Sequence, residues 1–144
     1  MKKTIGRIDK ADFPELKLFD IDAKIDSGAY TSSIHCTQIE EYEENGVSFI
    51  KFILLDPEHS HYNRKKFTSK DYTTRTVKSS NGQSEERYAI QTEIVLFGEK
   101  FPIDLTLTER KDMKFPILLG RKFLNHHFVI DPSKTNISHK LKEQ

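Results

Sequence analysis

The sequence predicts an all-β domain, because apolar residues recur at a period of two, tight-turn dipeptides fall between those runs, and helical periodicity is almost absent. Successive side chains of a strand point to opposite faces, so alternation marks a sheet with one face on a core. Phe101, Ile103, Leu105 and Leu107 alternate with Pro102, Asp104, Thr106 and Thr108. Ile50, Phe52 and Leu54 alternate with Lys51 and Ile53. Asn45-Gly46, Asn81-Gly82 and Phe97-Gly98-Glu99-Lys100 separate the runs. Asn-Gly favours hairpins because both residues tolerate positive φ, so hairpins are expected at all three places.

In chain order, strands are expected near 3–8, 20–25, 32–39, 47–55, 72–78, 86–97, 100–108, 116–119 and 127–130. A single short helix is expected at 121–126, following Gly120. Residues 56–70 are polar without a clear period and read as a long loop, a length that in a small domain is often functional. The polar residues from Asp131 onward read as a frayed tail, giving a domain over 1–132 and a tail over 133–144. No internal repeat or low-complexity tract is visible.

A chain of 144 residues with 35% hydrophobic content supports one core and is too short for two comfortable ones. Its 23 Lys and Arg nearly cancel its 22 Asp and Glu, so no overall field draws it to nucleic acid or an anionic membrane. No window approaches the roughly 18 apolar residues of a spanning helix. Arg7, Asp9, Lys10 and Asp12 interrupt any signal-peptide core after the N-terminal lysines. The lone Cys36 excludes an intramolecular disulfide framework and fits a reducing compartment, so a cytoplasmic location is expected.

Two segments carry chemistry. In Ala23-Lys24-Ile25-Asp26-Ser27-Gly28-Ala29 a strand runs into an acidic turn, where Gly28 permits a tight backbone and Ser27 can fix it by hydrogen bonding. A carboxylate held at the mouth of a sheet suits a general base, although Asp-Ser-Gly alone is more often an ordinary turn. The second segment, Phe115-Pro116-Ile117-Leu118-Leu119-Gly120-Arg121-Lys122-Phe123-Leu124, is an apolar strand that ends at Gly-Arg late in the chain. Together, in this order, they resemble the retropepsin-like aspartic peptidases. Ile5-Gly6-Arg7-Ile8-Asp9, Phe13-Pro14-Glu15-Leu16, Arg75-Thr76-Val77-Lys78-Ser79-Ser80-Asn81-Gly82, Glu86-Arg87, Leu105 to Arg110 and Met113 extend the likeness to residues 5–132. Over that span the chain resembles a bacterial and archaeal family described as ATP-dependent zinc proteases.

The resemblance implies a closed or partly open β-barrel of the single-lobe retropepsin-like acid-protease fold, with one short helix after the Leu-Leu-Gly-Arg strand. It implies peptide hydrolysis by two carboxylates sharing a proton. This chain has one Asp followed by Ser/Thr-Gly, so the dyad would be Asp26 and its copy in a two-fold homodimer. Ser27, Gly28, Ala29 and Arg121 would support the turn, Arg121 by ion pairing, with Lys24 and Arg110 as further candidates. The hairpin between 72–78 and 86–97 falls where such enzymes carry a flap, and Arg75, Lys78, Ser79, Ser80, Asn81, Gly82 and Arg87 would meet substrate there. Its basic residues suggest an acidic peptide such as a glutamate-rich tail, and equally fit a solvated face. Proteins of this family are often encoded near ATP-grasp glutamate ligases, which implies such a ligase as partner and a ligase-modified peptide as substrate.

Zinc and ATP, by contrast, find no motif: the chain lacks His-Glu-x-x-His, a Cys pair and a phosphate-binding Gly-Lys-Ser/Thr loop, so no cofactor is expected. His59 and His61 could face one way from an extended segment but are two ligands where a catalytic zinc usually takes three. His126 and His127 read as part surface and part core, and His35 and Cys36 should face opposite sides of a strand. The readings are therefore a dimeric aspartic endopeptidase, a non-catalytic peptide-binding module on the same fold, and, with least support, a zinc-dependent peptidase.

Overall fold

A computed structural model describes residues 2–78, 81–109 and 114–142. Among them lie eleven strands: β1 (Lys3–Ile5), β2 (Ile8–Phe13), β3 (Leu18–Ile25), β4 (Ser32–Glu44), β5 (Val47–Leu54), β6 (Lys66–Ser69), β7 (Tyr72–Lys78), β8 (Ser84–Leu96), β9 (Glu99–Thr108), β10 (Ile117–Leu119) and β11 (Phe128–Ile130). A 3-10 turn (Pro14–Leu16) and two short helices, α1 (Arg121–Leu124) and α2 (Ile137–Lys142), complete the described fold. All three expected hairpins form. Asn45 and Gly46 (φ 54° and 77°) join β4 to β5, Phe97 and Gly98 (φ 56° and 71°) join β8 to β9, and Gly82 (φ 86°) lies between β7 and β8.

The large sheet runs β10-β3-β2-β8-β9-β4-β5-β6, with β7 added to β8, and β10 also pairs with β4. That second pairing bends six strands into a partly closed ring. Its seam is β2 against β8, registered only at Asp12↔Val95. Phe13, Ile21, Ile34, Leu105, Ile117 and Leu119 are fully buried within it. Each contributes roughly 1.5–3 kcal/mol of apolar burial. Inside the ring β4 is covered on both faces from Ser32 to Cys36, which is why His35 and Cys36 are both buried although they point apart. Burial also pushes the Cys36 thiol up, keeping it neutral.

Three expectations need correction. The N-terminal strand is two strands, broken at Gly6, whose α-carbon faces Lys134 O so closely that a methyl there would sit 2.1 Å from it. The segment 56–70 is only partly loop. β6 pairs antiparallel with β5, its Phe67 ring stacked on Phe52 at 5.9 Å, and its lysine suits an edge strand. Before it, Asp56 accepts the N–H of Glu58 and an Nε2 contact from His35 at 2.8 Å, tying the loop to the core.

The tail is not frayed either. Ile8 bridges Thr135, and α2 starts against the buried Asp9, whose carboxylate accepts the N–H groups of Ser138 (3.0 Å) and His139 (3.2 Å). A carboxylate suits the positive end of a helix. Ser138 Oγ in turn accepts the N–H of Phe97 at 2.7 Å, joining helix to hairpin. Lys142 Nζ then closes the last turn on Asp12 and Asp20, both at 2.9 Å.

Candidate active site

The ring closes where β3 ends. β10 lies parallel to β3 (Ile117↔Ala23, Leu119↔Ile25) and antiparallel to β4 (Ile117↔Ile34, Leu118↔Ser33), so it fills the gap between the two strands that enter and leave the acidic turn. Backbone bonds stitch turn and strand together: Asp26 N donates to Leu119 O at 2.9 Å, Arg121 N to Ala29 O at 2.8 Å and Lys122 N to Tyr30 O at 2.9 Å. Gly120 sits between them, its N–H donating to the buried Ser32 Oγ at 3.0 Å. A Cβ at Gly120 would lie 2.6 Å from Thr31 O and 2.7 Å from Tyr30 O, so this passage admits no side chain.

Within the turn, Asp26 is half-buried and its Oδ1 accepts the N–H of Gly28 at 3.0 Å, while Ala29 N donates to Asp26 O at 3.2 Å. Among the described residues its Oδ2 accepts no side-chain or backbone hydrogen bond. Arg121 reaches back from α1. Its Nη1 donates to Ser27 O at 2.9 Å and its guanidinium lies 5.8 Å from the centre of the exposed Tyr30 ring. The expected ion pair is thus replaced by a hydrogen bond to a carbonyl and a cation-π contact. Lys24 is exposed on β3, and Arg110 lies outside the described residues.

A cavity of about 490 Å³ has Thr31, Ser32, Arg75, Asp104 and Lys122 in its walls, and none of Asp26 to Ala29. Arg75 pairs directly across the β7–β8 hairpin with Arg87, so both side chains share one face. Lys78 pairs with Ser84 at the last registered position, and Asn81 Oδ1 accepts the N–H of Gln83 at 3.1 Å beyond it. These residues, with Gly82, stand toward the hairpin tip and away from the cavity. Ser79 and Ser80 lie outside the described residues. Sequence reading missed Asp104 and Lys122, joined at 2.6 Å in the cavity wall. The alternation of β9 does mark Asp104 as outward-facing. Lys122, with Gln91 and Arg75 beside it, holds the Asp104 carboxyl below the usual aspartate range.

The imidazoles of the 56–65 loop are otherwise engaged. His59 Nδ1 accepts the N–H of His61 at 3.0 Å, and His61 Nε2 is 3.0 Å from Phe19 O. Among the described residues no three His, Cys, Asp or Glu converge on a common point. His127 packs against Phe101 at 4.7 Å, whereas His126 is exposed.

A ring of strands closed by a Gly-Arg strand threaded through an Asp-Ser-Gly-Ala turn defines the single-lobe retropepsin-like aspartic endopeptidase class. The chain belongs to the RimB-like family of retropepsin-like aspartic endopeptidases, whose family model it matches over residues 4–141. It is 38% identical over 134 residues to a protein of Shewanella pealeana described as a probable alpha-L-glutamate ligase, covering 93% of this chain and 29% of that one. A protein of the same description from Desulfotalea psychrophila is 35% identical, covering 92% of this chain and 28% of that one. The chain therefore spans less than a third of the curated relatives it matches. A crystal structure of a Legionella pneumophila protein of unknown function superposes with a TM-score of 0.75 at 26% identity, covering 96% of this chain and 99% of that one.

Proposed function

We propose that the protein is an aspartic endopeptidase whose dyad is Asp26 and the same residue of a second copy, acting on acidic or ligase-modified peptides. The observation that carries this reading is the half-buried Asp26 carboxylate at the end of β3: one oxygen is fixed by Gly28 N–H, and the other accepts no hydrogen bond among the described residues. Two such carboxylates in contact cannot both ionise easily and share one proton. The charged one takes a proton from water as the water attacks the scissile carbonyl. The protonated one gives its proton to the carbonyl oxygen, and the tetrahedral adduct collapses as the departing nitrogen is protonated. Arg121, Ser27 and Gly28 hold the turn, and Arg75 and Arg87 offer cations to an acidic substrate.

The ligase names of the longer relatives support a functional pairing with an ATP-grasp glutamate ligase, which would make the acidic tail that this protein trims. The buried, neutral Cys36 suits work in the cytoplasm. The test uses a glutamate-rich peptide as probe. Asp26→Asn should abolish its cleavage while the circular dichroism spectrum and the dimer are unchanged; turnover retained by the variant would sink the proposal. One observation favours a second reading, a non-catalytic peptide-binding module: each chain supplies a single Asp-Ser-Gly carboxylate. A wild-type protein that stays monomeric at assay concentration and binds the peptide uncleaved would establish that reading instead.

A further inference from the structure

The cavity walled by Arg75 and Asp104 has a neighbour. A second space of about 700 Å³ extends to Ser69, Lys70 and Tyr72 at the β6–β7 corner, and the two share Arg75, Ala89, Gln91 and Asp104 in their walls. The Arg75 and Asp104 side chains, 3.9 Å apart, thus stand in the boundary between them. One Asp104 oxygen faces both Lys122 at 2.6 Å and Arg75 at 3.9 Å, so the lysine holds the carboxylate and the arginine is only loosely attached. Arg75 is 42% exposed, so its guanidinium is accessible to an incoming acceptor.

The cross-strand partner adds to this. Arg87 lies directly opposite Arg75, an arrangement of like charges that costs a hairpin stability. Its side chain is only 11% exposed and already engaged, Glu85 lying 3.5 Å from both its Nε and its Nη2. Of the two guanidiniums, Arg75 is the loosely paired one that lines both cavities, and arginine grips a carboxylate with two parallel N–H donors. The opposite end of the first cavity is lined by Glu15 and Glu93, which would repel the same group.

We propose that Arg75 is a movable bar and a specificity-determining residue: it leaves Asp104 to take a side-chain carboxylate of an extended peptide, and that movement joins the two cavities into one groove. Asp104 stays with Lys122 throughout and acts as a positioning residue, parking Arg75 when the groove is empty. The inference rests on the reading of this cleft as a peptide site and adds the position at which a carboxylate is selected.

The experiment measures binding to the full-length Asp26→Asn protein, so that it needs no turnover. Short extended peptides carrying one Glu at successive positions in an otherwise neutral sequence are titrated by fluorescence anisotropy, each against its Gln counterpart. One position should show Glu preferred by about tenfold, as a charge-assisted bond implies. Adding Arg75→Gln should equalise the Glu and Gln peptides at that position, while Arg75→Lys, which keeps charge without the fork, should retain part of the preference. A Glu preference that survives Arg75→Gln, or no preference at any position, overturns the proposal. If the wild-type protein fails to cleave the preferred peptide while the Arg75-dependent preference holds, the peptidase reading falls and the bar stands.

Discussion

Replacing Gly120 by alanine tests the threading of β10 through the acidic turn. The new methyl would stand 2.6 Å from Thr31 O, 2.7 Å from Tyr30 O and 2.8 Å from Thr31 C, all backbone atoms. Carbon-oxygen contacts ordinarily lie at about 3.3–3.6 Å, so the overlap is roughly 0.7 Å. The turn cannot retreat freely, because Tyr30 O accepts Lys122 N and Ser32 Oγ accepts Gly120 N. Overpacking costs about 1–3 kcal/mol, and each of the two strained hydrogen bonds adds about 0.5–1.5 kcal/mol, for a total of about 2–6 kcal/mol. At about 2–4 °C per kcal/mol, the middle of that range lowers the melting temperature by about 12 °C. Gly28→Ala is the control. Its nearest contact is Asp26 Oδ1 at 3.2 Å, the end of a side chain that can rotate away. That variant should melt within about 3 °C of wild type, under the cost of an ordinary surface change, and still lose cleavage by displacing the carboxylate. Melts followed by circular dichroism decide the matter. A Gly120→Ala protein as stable as wild type, or a Gly28→Ala protein less stable than the Gly120→Ala one, would refute the threading argument.

Two other outcomes follow from the ends of the fold. Asp9→Ala strips two helix N–H groups of their acceptor, losing a cap and leaving buried donors unsatisfied, so it should cost about 2–4 kcal/mol; urea titration together with faster hydrogen exchange in α2 reads this, and unchanged exchange there would contradict it. Burial, and after it the neighbouring His61, lower the His59 pKa below its ordinary 6.5. The folded state then binds fewer protons than the unfolded one, so this contribution is complete above 6.5 and is lost as pH falls below it through the folded value. Protonation at Nδ1 would also remove the acceptor for His61 N–H. Limited proteolysis within residues 57–63 should therefore speed up as pH falls below 6.5; equal rates would count against the imidazole holding the loop.

Most of the ring was legible in the sequence because its strands alternate, and the turn was legible because Asp-Ser-Gly and Gly-Arg are local signals. The elements that escaped share a cause: their polar residues are inward or paired for reasons that local pattern does not carry. β2 places Asp9, 1% exposed, at an inward position beside Ala11 and Phe13, and its partner lies near the other end of the chain. β6 presents one apolar residue, Phe67, and owes its existence to the β5 edge. α2 reads as a polar tail because its N-terminal donors are met by that remote aspartate. At the site, Lys122 looked like part of a short helix, and Asp104 like the polar half of an alternating strand. Only the sheet order brings β9 under α1 and makes them a pair.

The same threading explains why stability and chemistry should separate cleanly at Asp26. Within this chain the turn is held by Asp26 N to Leu119 O, Ala29 N to Asp26 O, and Arg121 through its backbone N–H to Ala29 O and its side chain to Ser27 O. The carboxylate contributes a single acceptor, to Gly28 N–H, and an asparagine amide oxygen can serve there equally. Asp26→Asn therefore removes a charge from the mouth of the ring while leaving its scaffold bonded. In the proposed dimer, a second copy would bring its own carboxylate to a turn that these bonds already hold.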